Sequence, residues 1–275
     1  MISKDLLPFV RPRSSDTEGL VYAEGIEEDG MILGGKARSP ATSETYEIKD
    51  GYLDLLKASI GADNVANLTN FLPGAGRGYE PLWRVRSLSL LTGEPFPKER
   101  ELEIITRLVR PVREGRYLDL GCSAGLYTRS LSGNLDSGLV AGIDISPSML
   151  REANRRARAI GANPSFVRAN AKNLPFFDTS FTGAVCGGTL NEFGDPARVL
   201  RETYRVLEPG GRLAIMGILR AGTPRGRRLQ RFLSTGGIQF FHPDELQSLL
   251  DHAGFEPDPP QTYGLVFFAG ATRRD

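Results

Sequence analysis

Tyr117-Leu118-Asp119-Leu120-Gly121-Cys122-Ser123-Ala124-Gly125 is an apolar run that passes straight into a glycine loop. In open α/β sheets, ligands bind beyond the carboxyl ends of the strands, where such a loop sits. Glycine lets the backbone approach a ligand where a Cβ would clash. The next apolar run, Val140-Ala141-Gly142-Ile143-Asp144, ends on an acid. A carboxylate at that strand end can accept both hydroxyls of a ribose. A glycine loop alone is a weak signal. Loop, strand-end acid and strand–helix–strand spacing together specify a nucleotide site.

Outward from this motif, apolar runs alternate with amphipathic ones. Strands are expected over 116–121, 139–145, 165–170, 182–187 and 212–218, and helices over 98–110, 125–131, 147–160, 196–207 and 243–253. Leu102, Ile105, Leu108 and Val109 share one face of the first helix, and Pro111 closes it. Pro147, Pro196 and Pro243 each open a helix, where a fixed φ is an advantage. Ser146 and Asp195 precede two of them as N-caps. Strands alternating with helices imply a parallel sheet covered on both faces. Residues 255–264 and 265–272 are two extended runs with no helix between them, so a final hairpin would add an antiparallel strand.

The chain has 275 residues, enough for one core of about 180 residues plus an appendage. A 40% hydrophobic, 24% charged composition is that of a globular protein and excludes a disordered or fibrous chain. Two cysteines exclude a disulfide framework and a zinc site of three or four thiolates, and two histidines all but exclude a histidine-rich metal site. No metal is expected. The formal net charge of +1 provides no global field toward nucleic acid or membrane. It hides an asymmetry: residues 1–80 carry 8 basic and 13 acidic side chains, residues 81–275 carry 26 and 20. No run approaches the roughly 20 apolar residues of a membrane span, and the first residues lack the apolar core of a secretory signal. A cytoplasmic location is the expectation.

Residues 1–56 are turn-rich, with short strands expected at 19–22, 30–33 and 45–48, and read as a small β module. Residues 57–96 read as a connecting or lid segment, and 97–275 as the cofactor-binding domain.

The loop spells Gly121-x-x-x-Gly125, without the central glycine that a dinucleotide pyrophosphate requires. Asp119 lies two residues before it. An anion there disfavours a pyrophosphate and favours a cationic sulfonium with its amino-acid ammonium. The loop therefore suits S-adenosyl-L-methionine better than NAD.

Residues 97–275 resemble the class I S-adenosylmethionine-dependent methyltransferases, in particular the small-molecule group of ubiquinone and menaquinone biosynthesis. The resemblance rests on Leu118 to Gly125, on Gly142-Ile143-Asp144-Ile145-Ser146-Pro147-Ser148-Met149-Leu150, on Arg168-Ala169-Asn170-Ala171-Lys172-Asn173-Leu174-Pro175-Phe176, and on Arg205-Val206-Leu207-Glu208-Pro209-Gly210-Gly211-Arg212-Leu213. It implies an α/β, Rossmann-like, seven-stranded and mostly parallel sheet with helices on both faces and an antiparallel C-terminal hairpin. The small β module would be added at the N-terminus.

By the same resemblance, Asp119 and Gly121 lie near the methionine portion, and Cys122, Ser123 and Gly125 shape the loop. Asp144 holds the ribose, Ile145 and Met149 lie against the adenine, and Asn170 and Ala171 meet its edge. The family often has aspartate where Asn170 stands, and an amide can accept the same hydrogen bond. Gly187, Gly188 and Thr189 follow the fourth strand, where methyl donor and substrate face each other. Thr45 to Leu56 resembles the end of a zinc-ribbon-like module found before some methyltransferases. The stretches that would supply its cysteine pairs, Arg11-Pro12-Arg13-Ser14 and Lys36-Ala37-Arg38-Ser39, have none, so a metal-free remnant is implied.

Methyl transfer from a sulfonium is an in-line displacement, and the main task is alignment of nucleophile, methyl and sulfur. A general base is useful for a phenol or hydroxyl and unnecessary for an already activated carbon. The candidates are Glu192, just past the fourth strand, and His242, just before a helix. After the fourth strand stands Gly187-Gly188-Thr189-Leu190-Asn191-Glu192-Phe193, unlike the tetrad of nucleic-acid amino-methylating enzymes. Neither cysteine follows proline, as a cytosine-5 nucleophile would. A small organic substrate of phenolic, quinone-like or lipid-like character, without nucleic acid or integral membrane contact, is the expectation. Two other classes stay open, a NAD-dependent oxidoreductase and a non-catalytic S-adenosylmethionine-binding protein. Arg220, Arg225, Arg227, Arg228 and Arg231 form an acid-free stretch, either a solvated helix face or a contact for an anionic substrate or partner.

Overall fold

The strand that opens the glycine motif sends alternate side chains to opposite faces, so two apolar layers form on one sheet. The computed structural model describes residues 1–56 and 85–275. In chain order its strands are β1 (Ile2–Ser3), β2 (Val21–Glu28), β3 (Met31–Arg38), β4 (Thr45–Lys49), β5 (Tyr52–Asp54), β6 (Arg116–Leu120), β7 (Leu139–Asp144), β8 (Ser165–Arg168), β9 (Phe181–Gly187), β10 (Leu207–Ile218), β11 (Phe255–Pro257), β12 (Gln261–Tyr263) and β13 (Val266–Arg273). The described helices are α1 (Val85–Thr92), α2 (Lys98–Val109), α3 (Leu126–Ser132), α4 (Pro147–Ala159), α5 (Pro196–Val206), α6 (Pro224–Ser234) and α7 (Pro243–His252).

The seven core strands lie in the order β8-β7-β6-β9-β10-β13-β11, parallel from β8 to β10, with β13 antiparallel to both β10 and β11. This is the sheet expected from the alternation. Strand order reverses between β6 and β9, the topological switch point at which such sheets open a crevice. Tyr117, Val185 and Met216 face a layer completed by α2 and α3. Leu118, Ala184 and Ile215 face the other, which α5 and α7 cover through Val199, Leu200, Leu246 and Leu250. The prolines open their helices as expected, and the caps are made. Ser146 Oγ accepts from Met149 N at 3.4 Å, and Asp195 Oδ1 from Arg198 N at 3.0 Å.

The strands of residues 1–56 continue the same sheet. β5 pairs in parallel with β8, and β4, β3, β2 and β1 follow antiparallel. The parallel crossover from β8 to β9 contains no helix. The 3-10 helix Lys4–Phe9 takes that place, burying Leu6 and Leu7 completely, and Val10 bridges to Phe176. Arg168, 8% exposed, ties the joint: its Nη1 donates to both Asp54 oxygens at 3.2 Å and to Leu56 O at 3.0 Å.

Two departures from the sequence reading have local causes. β10 begins at Leu207 rather than 212, because Leu207 pairs with Phe181 before the Pro209-Gly210-Gly211 turn shifts the register. The arginine-rich stretch, for which a solvated helix face was one reading, forms the separate helix α6; Thr223 caps it, accepting from Gly226 N, and Pro224 opens it. Most of the 57–96 connecting segment lies outside the described residues. Among the described residues no helix is long and apolar enough to cross a membrane.

Candidate active site

The ends of β6 and β9 form the two lips of the crevice. Gly121 has φ +63°, and a Cβ on it would come 2.8 Å from the Thr189 side chain on the opposite lip. Thr189 Oγ1 donates to Leu120 O at 2.9 Å and lies 3.3 Å from Cys186 Sγ, so one hydroxyl ties the lips together. Gly187 is held to glycine by a different contact. A Cβ there would lie 2.3 Å from the Tyr127 ring, whose hydroxyl donates to the buried Glu101 carboxylate at 2.5 Å.

Most of the nucleotide-site residues expected from the sequence come together. Asp144 Oδ2 accepts from Ser123 N at 2.9 Å and its Oδ1 from Ser146 N at 2.8 Å. Ser123 holds a left-handed φ of +49° in this loop. Ser123 Oγ reaches Met149 Sδ at 3.5 Å, which brings Met149 under the same loop. Burial raises the Asp144 carboxyl above the ordinary aspartate range, and the backbone hydrogen bonds oppose that rise. Ile145 is half-buried beside it, with its carbonyl accepting from Arg168 Nε at 3.1 Å. Gly125 starts α3 with φ +75°. A strand-end carboxylate already held by two backbone donors is a fixed acceptor for hydroxyls. This cradle of glycines, backbone N–H groups and one half-buried acid fits the nucleoside of S-adenosylmethionine.

Three expected site residues have other tasks in the structure. Asp119 is 2% exposed, and its Oδ2 accepts from Thr128 N at 2.9 Å and Thr128 Oγ1 at 2.6 Å. It thereby fixes the first turn of α3 against β6. Asn170 folds back on itself, Oδ1 accepting from Lys172 N at 2.9 Å, in the half-buried turn that leads to buried Ala171. Cys122, 6% exposed, turns into the core, where a Cβ on Gly142 would come 3.0 Å from its sulfur. Burial drives its thiol pKa well up and pushes that of Cys186 to about 12, so neither is a nucleophile.

The two acid–base candidates lie in different settings. His242 is exposed at the N-cap of α7, where its backbone N–H donates to Glu245 Oε2 at 2.8 Å. Glu192 is half-buried at the end of the 3-10 turn Thr189–Asn191, directly past the β9 lip. Burial, reinforced by the Asp144 charge, raises its carboxyl to about 7. Such an acid exchanges its proton near neutral pH.

Asn191 is a positioning residue that sequence reasoning quoted without a role. It is 1% exposed. Its Nδ2 donates to Ile218 O at 2.9 Å and Gln239 O at 2.6 Å, and its Oδ1 accepts from Ile218 N at 2.9 Å. One amide thus joins the turn carrying Glu192 to the end of β10 and to the segment before α7. A lone amide in the turn just past an apolar strand was the available signal. Among the described residues, no group of three His, Cys, Asp or Glu side chains is placed to hold a metal.

The methyltransferase domain family matches residues 118–215. The chain is 30% identical over 175 residues to demethylmenaquinone methyltransferase from Thermotoga maritima, covering 55% of this chain and 75% of that protein. It is 33% identical over 171 residues to the ubiquinone/menaquinone biosynthesis C-methyltransferase of Haemophilus ducreyi, covering 53% of this chain and 66% of that protein. The solved S-adenosylmethionine-dependent methyltransferase of Methanosarcina mazei has a TM-score of 0.54 and 26% identity, covering 62% of this chain and 97% of that one. With this sheet order, and with 30% identity over three quarters of a known methyltransferase, the chain belongs to the class I S-adenosylmethionine-dependent methyltransferases.

Proposed function

We propose that the chain methylates a small phenolic ring of the hydroquinone or naphthol type, with Glu192 as the base that accepts the phenol proton. The carrying observation is the Glu192 carboxyl, raised to about 7 by burial at the crevice lip. S-adenosylmethionine supplies an electrophilic methyl group. The phenolate left by proton transfer to Glu192 makes the ring, at oxygen or at an adjacent carbon, a nucleophile. The relatives named for menaquinone and ubiquinone biosynthesis support a quinone-derived ring.

In this reading Asp144 accepts the ribose hydroxyls, Ile145 and Met149 flank the adenine, and Asn170 and Ala171 meet its edge through the turn that the Asn170 Oδ1–Lys172 N hydrogen bond shapes. Gly121, Cys122, Ser123, Gly125 and Gly187 shape the walls, and Asp119 acts through the α3 turn it anchors. His242 has only a capping role. Residues 1–56 form a metal-free remnant of a zinc-ribbon-like module. In support, Arg13 pairs with Glu44 at 2.6 Å, which joins the first cysteine-free stretch to the loop after the second. The domain division is 1–56, 57–96 and 97–275. We infer a cytoplasmic location, for which two buried free thiols are suited.

The test is transfer of labelled methyl from S-adenosylmethionine to a panel of naphthols and reduced prenylnaphthoquinones, with the product atom assigned by NMR. Turnover of phenolic rings is expected. Turnover confined to amines or carboxylates would refute the reading.

A further inference from the structure

An amphipathic helix on a protein surface ordinarily turns its leucines and phenylalanines inward. α6 does the reverse. Its buried anchor is Gln230, 8% exposed, which accepts from Ala221 N at 2.7 Å and donates to Leu219 O at 2.8 Å. Its apolar residues point outward: Phe232 is 72% exposed, Leu229 61% and Leu233 37%.

Arginines surround this stripe. Arg227 and Arg231 line a groove of about 1250 Å³ between α6 and α7. Arg225 and Arg228 are exposed on the outward side, beside Leu229 and Phe232. Arg225, Arg228 and Arg231 form no ion pair among the described residues. From residue 209 to 243 the sequence has no acid. The helix stands beyond the carboxyl end of β10, on the side of the sheet where the crevice opens.

An exposed aromatic–aliphatic stripe flanked by arginine matches an anionic lipid surface. The rings enter the acyl boundary while the guanidinium groups stay at the phosphates. We propose that α6 docks the protein on anionic bilayers as a peripheral interfacial helix, with the crevice facing the lipid. This holds whatever ring is methylated.

Other occupants match the charge less well. Residues 57–84 contain Lys57, Arg77 and Arg84 against Asp63 and Glu80, so they provide no net negative partner. The acidic edge of β2 on a second copy is already partly neutralised, with Glu24 paired to Lys36 at 2.6 Å and Glu27 to Lys4 at 2.9 Å.

The test is co-sedimentation of the full chain with phosphatidylcholine vesicles, with and without about 30% phosphatidylglycerol. The expected result is salt-sensitive binding to the anionic vesicles only. Leu229→Ser/Phe232→Ser and Arg225→Gln/Arg228→Gln should each weaken it by roughly tenfold or more, with S-adenosylmethionine affinity and turnover of a water-soluble phenol unchanged. The arginine pair is fully surface-borne, so it reports even if the apolar pair misfolds. Absent binding, equal binding to neutral vesicles, or full binding by the arginine variant would overturn the proposal. So would a dimer in light scattering that the apolar variant dissociates, which makes a second copy the occupant. A chain that binds vesicles but methylates no phenol refutes only the proposed substrate.

Discussion

Glu192→Gln separates chemistry from architecture, because the two side chains are nearly isosteric and differ in the proton. With a carboxyl at about 7, the carboxylate fraction rises about tenfold between pH 6 and pH 8. Turnover of a phenolic substrate should rise by the same factor and then level off. The glutamine variant should lose about 10²–10³-fold in kcat and lose that pH limb, with S-adenosylmethionine affinity intact. Stability provides an independent check. A carboxyl raised above its unfolded value stabilises the fold most below about 4.5, and that contribution is lost as pH rises through about 7. The full difference is at most about 3 kcal/mol, lessened by the solvent that reaches this half-buried group. Glutamine lacks it, so the variant should match wild type near pH 4.5 and be the more stable protein at pH 8. Calorimetric melts at both pH values and a pH–rate profile measure both effects. A flat profile in wild type, or a variant with the wild-type limb, would refute the assignment of Glu192 as base.

Asn191→Ala deletes three hydrogen bonds and strands two carbonyls and an N–H, so denaturant titration should show a loss of about 3 kcal/mol, and kcat should fall more than affinity. Unchanged stability would mean the neighbouring turns hold without it. Gly187→Ala drives a methyl into the Tyr127 ring, which Glu101 keeps from swinging away. Its expected cost is about 1–3 kcal/mol, and a melting temperature equal to wild type would show the ring to be free to move. Asp144→Ala should weaken S-adenosylmethionine binding by about 1–3 kcal/mol in titration calorimetry, and wild-type affinity would remove Asp144 from the ribose site.

Much of the core was legible in the chain because its signals are local. Period-2 and helical apolar spacing, proline at helix starts and the Ser146 and Asp195 caps act within a few residues, and those elements lie where the spacing predicts. The glycine loop and Asp144 were equally legible, since close backbone approach leaves its mark as glycine. Asp119 and Asn170 were harder. Their residue types announce polarity, but whether a carboxylate faces a ligand or caps a helix turn depends on its rotamer and neighbours.

The sequence by itself determined the α/β class, the nucleotide-site loop and a cofactor better matched by a sulfonium than by a pyrophosphate. These follow from short-range spacing, whereas the Asp119 charge read as favouring a sulfonium is committed to Thr128 in the fold. Only the tertiary structure decided that β5 joins β8 across more than a hundred residues, and that residues 4–9 fill the face left bare by a crossover without a helix. Only it decided that α6 turns its phenylalanine outward. The Glu192 proton, too, is decided there, because desolvation and the Asp144 charge exist only once distant segments are packed together.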